Sequence, residues 1–306
     1  MARLLEGKVA LVTGAGHGIG RAHALELARQ GARVVVNDLG ASLRGDGGGR
    51  VAEEVCGIIA ARGGTAIPDF GDVGEEAQAD AMVQRAIDAW GRIDIVVNNA
   101  GIVRDRTIWN MPAEDFDLVM RVHVRGSWLT ARAAARHWNA RAKAEGRVAG
   151  RIINTTSGAG LQGNFGQSNY ATAKAALVGL TLTLSLELAK IGVTVNAIGP
   201  GALTRMTAAG QGGAKPREAD EYAEGEFEPL APWMSSPLVA WLASDEAQMV
   251  TGQVFKAMRD RIEWMRGFTA ARSVSNGGKP WVAEDLGRIL ATELFELRAP
   301  GLRLGG

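Results

Sequence analysis

The amino-acid sequence predicts an α/β protein built on a doubly wound parallel sheet. Short runs rich in Val and Ile alternate with amphipathic helical segments along most of the 306 residues, which is typical of parallel strands joined by helical crossovers. The runs lack the apolar–polar alternation of half-exposed strands, which indicates burial on both faces. Glycines are numerous, 41 in all, and suit tight connections between strands and helices.

Six apolar runs are predicted to form strands, in the order Val9–Thr13, Arg33–Asn37, Thr65–Pro68, Ile93–Asn98, Arg151–Thr155 and Thr194–Ala197. The intervening and following segments favour helices near residues 18–30, 50–62, 75–90, 112–142 and 168–190. Strands of this length with helices between them match the repeating unit of a doubly wound fold.

We expect a single domain over residues 1–256. Two stretches interrupt its alternation of strands and helices. Residues 39–50 are rich in glycine and long for a connection between a strand and a helix, which typically takes about two to six residues. Residues 203–232 contain six acidic side chains between Glu218 and Glu228, and this stretch is expected to form a lid.

The rest of the chain, residues 257–306, is expected to be a C-terminal extension packed on that domain. Ile262–Trp264 predicts an added strand, and Ala283–Leu297 predicts an amphipathic helix. Neither is long enough to form a second core.

Composition excludes several classes of protein. The net charge of +1 provides no strong field for nucleic acid or a membrane surface. No apolar run reaches the length of about 18 residues expected of a transmembrane helix, and Met1–Val12 lacks the apolar core of a signal peptide. Cys56 is the only cysteine, which excludes a disulfide framework and a cysteine-based zinc cluster, so no metal site is predicted. A cytoplasmic location is expected.

The glycine-rich turn after the first predicted strand indicates a dinucleotide site of the Rossmann type. Gly14 permits a sharp turn, Gly18 lets the backbone approach a pyrophosphate, and Gly20 permits close packing of helix on strand. The helix that follows directs free N–H groups and a partial positive charge at such a ligand. The predicted cofactor contacts in this turn are Gly14, Gly16, His17, Gly18, Ile19 and Gly20.

Asp38 follows the second predicted strand, about 20 positions after the glycines, where an acidic residue binds the hydroxyls of the adenosine ribose. The same carboxylate repels a 2′-phosphate. Asp38 therefore predicts NAD rather than NADP as the cofactor.

Three side chains form a candidate catalytic group. Tyr170 and Lys174 lie four residues apart, on one face of a predicted helix, and Ser157 follows a predicted strand. Oxidation of an alcohol needs a base for the hydroxyl proton while hydride leaves for nicotinamide. A tyrosine with its ordinary pKa near 10 is a poor base at neutral pH, and the Lys174 cation is expected to lower that pKa. Ser157 is expected to hydrogen-bond and orient the substrate oxygen.

These residues together resemble the short-chain dehydrogenase/reductase family. The motifs occur in the family's order over roughly residues 5–256, and they are the glycine turn, Asp72-Val73, Asn98-Asn-Ala-Gly101, Ser157 with Tyr170 and Lys174, and Pro200-Gly201 with Thr204. The resemblance implies that Asp72 and Val73 contact the adenine and that Thr204 holds the nicotinamide carboxamide. It implies further cofactor contacts from Asn99, Ala100, Gly101, Tyr170, Lys174, Pro200 and Gly201.

One position departs from the family pattern. The family usually has an asparagine three residues before a glycine in the long helix, where it relays protons from the lysine to water. Here His123 stands three residues before Gly126. An imidazole can donate and accept a proton near neutral pH, so His123 is a candidate catalytic relay. The alternative is a packed histidine bonded to a backbone carbonyl.

Further segments resemble the dehydrogenase module of peroxisomal multifunctional enzyme type 2, in which histidine also replaces the relay asparagine. They are Asn37–Gly40, Val103–Arg106, Arg121–Gly126 and Gly163–Tyr170. The resemblance implies an NAD-dependent enzyme of lipid metabolism that interconverts a secondary alcohol and a ketone, with a (3R)-hydroxyacyl-CoA or related hydroxyacyl substrate. A hydroxysteroid dehydrogenase, a 3-oxoacyl thioester reductase and a catalytically inactive NAD(H)-binding sensor stay open as alternatives.

The two long predicted helices have alanine-rich faces that permit close packing of a second subunit, and in the family these helices form a subunit interface. We therefore expect a homodimer or homotetramer. The alanines are Ala131, Ala133, Ala134, Ala135, Ala173, Ala175 and Ala176.

Overall fold

The computed structural model describes residues 3–40, 50–208, 215–223, 225–290 and 293. Three expectations from the sequence therefore fall partly outside the described residues. They concern most of the glycine-rich stretch at 39–50, residues 209–214 and 224 of the expected lid, and much of the helix expected over Ala283–Leu297. The chain divides into two compact units, Met1–Met265 and Arg266–Gly306.

The first unit is built on one sheet. Its strands are β1 Val9–Thr13, β2 Arg33–Asn37, β3 Thr65–Asp69, β4 Ile95–Asn98, β5 Arg151–Thr155, β6 Thr194–Gly201, β7 Val254–Met258 and β8 Arg261–Met265. They lie side by side in the order β3-β2-β1-β4-β5-β6-β7-β8. Neighbours run parallel, except that β8 pairs antiparallel with β7. The predicted doubly wound parallel sheet is confirmed, and the added strand at Ile262–Trp264 lies within β8.

Helices of the first unit pack on both faces of this sheet. They are α1 Gly18–Arg29, α2 Val51–Ala61, α3 Glu76–Trp90, α4 Ala113–Met120, α5 Gly126–Glu145, α6 Gly158–Gln162, α7 Ser168–Glu187 and α8 Ser236–Ala243. The described part of the second unit contains α9, Ala283–Ile289. In that unit a turn is closed by a 3.2 Å hydrogen bond from the Lys279 N–H to the Asn276 carbonyl.

Burial on both faces explains why Val9–Val12 of β1 are all apolar. Successive side chains of a strand point to opposite faces of the sheet. In β1, Val9 and Leu11 join a core cluster with residues of α3 and α5. Ala10 and Val12 join a second cluster with residues of α1, α2 and α8. Apolar side chains of this strand thus contact helices on both faces of the sheet.

The helix predicted over residues 112–142 is interrupted. Helix α4 ends at Met120, α5 begins at Gly126, and Arg121–Arg125 form a π-helical turn between them. A π turn adds one residue to the helical path while its dihedral angles stay close to those of an α-helix, so apolar periodicity does not reveal it. This turn carries His123.

The sheet order reverses beside β1, which has β2 on one side and β4 on the other. Chain connections leave the carboxyl ends of β1 and β4 in opposite directions, and a crevice opens between these two strands. The glycine turn follows β1, and Asn99 follows β4. The fold thus brings two separate sequence motifs to one crevice.

Candidate active site

A cleft of about 460 Å³ contains most of the residues that the sequence predicts for the site. The predicted residues that line it are Gly14, His17, Gly18, Ile19, Gly20, Asp38, Asp72, Val73, Asn99, Ala100, Gly101, His123, Ser157, Tyr170, Lys174, Pro200 and Thr204. Gly16 and Gly201 are not among the lining residues. The Gly16 N–H donates to the Asp38 carboxylate, and a Cβ at Gly201 would contact Met258.

Other lining residues were missed by sequence reasoning. They include Ile102, Leu118, Val122, Arg205 and Met206. Leu118 and Val122 belong to a segment whose apolar spacing indicates only a packed helix. Arg205 and Met206 belong to the expected lid, where no motif singles out individual positions.

The glycine turn forms a backbone cradle in which side chains have no room. Gly14 has a φ of +62°, and a Cβ there would lie 2.7 Å from Cα of Ala100. A Cβ at Gly20 would collide with the Gly14 carbonyl oxygen. The Asn99 amide group donates to the carbonyls of Thr13 and Gly14, each at 3.0 Å. This close approach leaves backbone N–H groups at the start of α1 beside the cleft, as a pyrophosphate requires.

Asp38 is held rigidly at the end of β2. Its Oδ2 accepts the Gly16 N–H and its Oδ1 accepts the Gly40 N–H, both at 2.8 Å. Each carboxylate oxygen can still accept a second hydrogen bond. The residues of this cleft therefore fit a dinucleotide, with a turn for its phosphates and a carboxylate for a ribose.

Ser157, Tyr170 and Lys174 meet at the same cleft. Ser157 precedes α6 and its hydroxyl hydrogen-bonds the Tyr170 phenol. Tyr170 and Lys174 lie one turn apart on α7, with Lys174 Nζ 5.5 Å from the centre of the Tyr170 ring. The buried ammonium donates to the Thr155 carbonyl at 2.6 Å. The fold thus brings together one side chain at the N-cap of α6 and two on α7.

Burial dominates the acid–base behaviour of this group. It lowers the pKa of Lys174 to about 7. It raises the pKa of Tyr170, a shift that the Ser157 hydrogen bond opposes and the Asp105 charge reinforces. The net shift of the Tyr170 pKa is therefore upward, opposite to the lowering expected from Lys174, because burial outweighs the contributions that favour the phenolate. Both side chains lose water in one pocket, and desolvation disfavours the charged form of each.

His123 is buried beside Tyr170. The two rings meet edge to face, with their centres 5.3 Å apart, and a Cβ at Gly101 would collide with the imidazole. His123 Nε2 lies 2.8 Å from the Ile102 carbonyl oxygen and 3.1 Å from the Ile102 backbone nitrogen, while Nδ1 has no partner in the described structure. Burial, with the Lys174 charge, lowers the pKa of His123 to about 3. The ring is therefore neutral, with one donor and one acceptor nitrogen. A proton on Nε2 suits the Ile102 carbonyl and leaves Nδ1 as the acceptor, whereas a proton on Nδ1 lets Nε2 accept the Ile102 N–H.

The family profile described as short chain dehydrogenase matches residues 8–213. The chain belongs to the short-chain dehydrogenase/reductase family. Hydroxyacyl-CoA dehydrogenase ChsB1 of Mycobacterium tuberculosis is 44% identical over 92% of this chain and 87% of its own length. Peroxisomal multifunctional enzyme type 2 of Mus musculus is 40% identical over 85% of this chain, which spans only 33% of that protein.

A solved structure of a short chain dehydrogenase is similar to nearly the whole chain. The crystal structure of a short chain dehydrogenase from Mycobacterium avium matches with a TM-score of 0.86 and 45% identity, covering 99% of both chains. Membership confirms the resemblance inferred from the motifs. This short-chain dehydrogenase/reductase is an oxidoreductase of a family that works with NAD or NADP.

Two further properties of the dehydrogenase hold for the described residues. No helix among them is both long and apolar enough to cross a membrane. Nor do three or more His, Cys, Asp or Glu side chains among them form a group that could hold a metal ion.

Asp72 of the dehydrogenase already has partners in this structure. Its Oδ2 accepts the Arg121 Nη2–H and its Oδ1 accepts the Gly74 N–H, both at 2.7 Å. Arg121, on the π turn, also pairs with Glu75 at 2.7 Å. The carboxylate expected at the adenine is thus fixed by an arginine that the sequence reasoning did not consider.

We expect Lys174→Met to stabilise the dehydrogenase at low pH. The pKa of Lys174 is about 7 in the folded state and near 10.4 in an unfolded chain. Below about pH 7 both states hold the proton, so the folded state carries the full cost of burying an ammonium. That cost disappears as the pH rises from about 7 to 10, because the folded state deprotonates first.

Urea unfolding at pH 6 and pH 9, without added dinucleotide, measures this effect. The stability gain of Lys174→Met should be larger at pH 6 than at pH 9. Lys190→Met, at an exposed position, is the matched control and should show no such pH dependence. A Lys174→Met protein less stable than the wild type at pH 6 would show that the hydrogen bond to Thr155 outweighs desolvation.

Proposed function

We propose that this chain is a cytoplasmic, NAD-dependent dehydrogenase that interconverts a (3R)-hydroxyacyl-CoA, or a related hydroxyacyl substrate, and its 3-oxo counterpart. The observation that carries the proposal is the convergence of Ser157, Tyr170 and Lys174 on the cleft that Asp38 also lines. The substrate class is supported by the names of the relatives, among them a hydroxyacyl-CoA dehydrogenase 44% identical to this chain.

Each side chain then has a definite task. Bound NAD supplies the hydride acceptor. The Ser157 hydroxyl binds the substrate oxygen, and the Tyr170 oxygen takes the proton of the substrate hydroxyl. Lys174 stabilises the phenolate through charge, since an ammonium and a phenolate attract each other more strongly in a desolvated pocket than in water. A lysine with a pKa of about 7 can also release its proton at neutral pH.

We assign the dinucleotide contacts to the residues of the glycine turn, to Asp38, to the segments after β3 and β4, to Tyr170 and Lys174, and to the end of β6 with Thr204. The backbone cradle at Gly14 and Gly20 supports the phosphate contacts. The fixed carboxylate of Asp38 supports a ribose with a free 2′-hydroxyl. Thr204 lies against the other side of the turn. A Cβ added at Gly18 would be 3.2 Å from the Thr204 Cγ2.

Asp38 sets the choice of cofactor in this proposal. The wild type should prefer NAD to NADP by at least about tenfold in kcat/KM, or about 1.4 kcal/mol, since a fixed carboxylate repels a 2′-phosphate. Asp38→Ala should narrow that ratio. Steady-state rates with both cofactors measure it, and equal kcat/KM values for the wild type would contradict the assignment.

His123 is assigned to the proton path. In the tautomer that donates from Nε2 to the Ile102 carbonyl, Nδ1 can accept a hydrogen bond from a water that also contacts Lys174. His123→Asn should keep most of the activity, because an amide can order the same water. His123→Leu should lower kcat by about tenfold or more, at the lower end of proton-transfer effects.

The profile of kcat against pH for both variants separates a relay from a packing role. A packing role predicts that His123→Leu retains its rate and that His123→Asn mainly loses stability. An unchanged kcat and pH profile in His123→Leu would remove this residue from the proton path.

Turnover tests the reaction and the substrate class. NADH absorbance should report faster oxidation of a 3-hydroxyacyl-CoA than of a 17β-hydroxysteroid. Tyr170→Phe should keep NADH binding and lower kcat by about two orders of magnitude or more. Tight NADH binding without turnover of either substrate would instead favour an inactive sensor, and faster steroid oxidation would favour a hydroxysteroid dehydrogenase.

We further propose a homodimer or homotetramer. Ala131, Ala133 and Ala134 pack in the core cluster, so these alanines do not form the expected contact face. The outer faces of α5 and α7 instead expose Trp128 and Leu186, the latter 79% exposed. Sedimentation at micromolar concentration should give at least twice the mass of one chain, and a mass near 32.2 kDa would contradict the proposal.

A further inference from the structure

The expected lid places a carboxylate on the N-terminus of α1. Glu218 Oε2 accepts the Gly18 N–H at 2.7 Å, and its Oε1 lies 2.9 Å from His17 Nδ1. Helix α1 has no acidic residue in its first turn and no side-chain cap from His17. An anion from a distant part of the chain therefore satisfies a donor at the end of this helix.

A short strap, Glu218–Glu221, holds this carboxylate in place. The Glu218 N–H donates to the Glu221 carboxylate at 2.7 Å. Asp220 accepts two hydrogen bonds from the Arg21 guanidinium, at 2.7 and 2.8 Å. Arg21 is 4% exposed, belongs to α1 and also pairs with Glu54 at 2.9 Å. The strap is thus clamped to the helix whose end it covers.

The Glu218 carboxylate is ionised in this position. Burial by itself would raise its pKa. The hydrogen bonds from His17 and Gly18 and the Arg21 charge more than offset burial, so the pKa of Glu218 is lowered. A full negative charge therefore lies against the glycine turn.

We propose that Glu218 is an intramolecular anion that competes with the pyrophosphate of the dinucleotide for the N-terminus of α1. His17 and Gly18 both line the cleft, and a helix N-terminus after a glycine turn is where a dinucleotide pyrophosphate binds. A carboxylate and a phosphate at one helix end repel each other. Dinucleotide binding therefore weakens the contact between the strap and α1, and that contact weakens dinucleotide binding. This inference rests on the proposed use of a dinucleotide and is independent of the proposed substrate.

Binding of ADP-ribose, measured by calorimetry on the full chain, tests the competition without any turnover. Glu218→Gln keeps the shape of the side chain and removes its charge, so ADP-ribose should bind about three- to tenfold more tightly, the range expected for a charge near a helix end. Adenosine, which lacks the pyrophosphate, should bind both proteins equally. Asp220→Asn weakens the clamp without touching Gly18 and should also tighten ADP-ribose binding.

Glu226→Gln is the matched control. Glu226 is an acidic residue of the same lid, and it pairs with Arg217 rather than with α1. ADP-ribose affinity should be unchanged in this variant. An equal gain in Glu226→Gln would assign the effect to the general charge of the lid and overturn the specific role of Glu218.

Two other results would overturn the proposal. One is weaker ADP-ribose binding by Glu218→Gln, and the other is an equal change for ADP-ribose and adenosine. If neither the wild type nor Glu218→Gln binds ADP-ribose, both the competition and the dinucleotide assignment fail. If Glu218→Gln shows the expected gain but no hydroxyacyl-CoA is turned over, only the substrate assignment fails.

Discussion

The close approach of the turn after β1 to the segment after β4 is the constraint on which the site depends. Gly14 lies so near Ala100 that a Cβ would be 2.7 Å from its Cα, and the Asn99 amide group ties the two segments together. This contact sets where α1 begins, and so where the N–H groups of its first turn lie. Asp38 is fixed by the same turn through Gly16. One backbone contact therefore positions both the glycine turn and the Asp38 carboxylate.

Desolvation controls the opposite part of the cleft. Lys174 and His123 are both buried, and burial lowers the pKa of each, while it raises the pKa of Tyr170. Charge on any of these groups is costly until it is matched by charge on another. In the reaction that we propose, few groups are therefore available to hold the proton. Such a pocket favours coupled proton movement over the build-up of an isolated ion.

The sequence was sufficient for features encoded by neighbouring residues. Burial on both faces of the sheet leaves runs rich in Val and Ile, and the spacing of Tyr170 and Lys174 is one helical turn. The π turn was not predictable, because its backbone follows the α-helical pattern. The partner of Asp72, Arg121, and the cap on Gly18, Glu218, come from distant parts of the chain. In the sequence, the acidic residues between 218 and 228 indicate only a solvated surface. In the fold, Glu218 and Asp220 contact α1.

The π turn at Arg121–Arg125 also fixes the length of this part of the chain. Each residue added to a helix rotates everything beyond it by about 100°. Removal of one residue from the turn would swing Ala134 and Trp138, both buried against the sheet, toward solvent. The segment that carries His123 can therefore change its side chains but not its number of residues. An insertion or deletion there would disrupt the packing of the hydrophobic core before it affected catalysis.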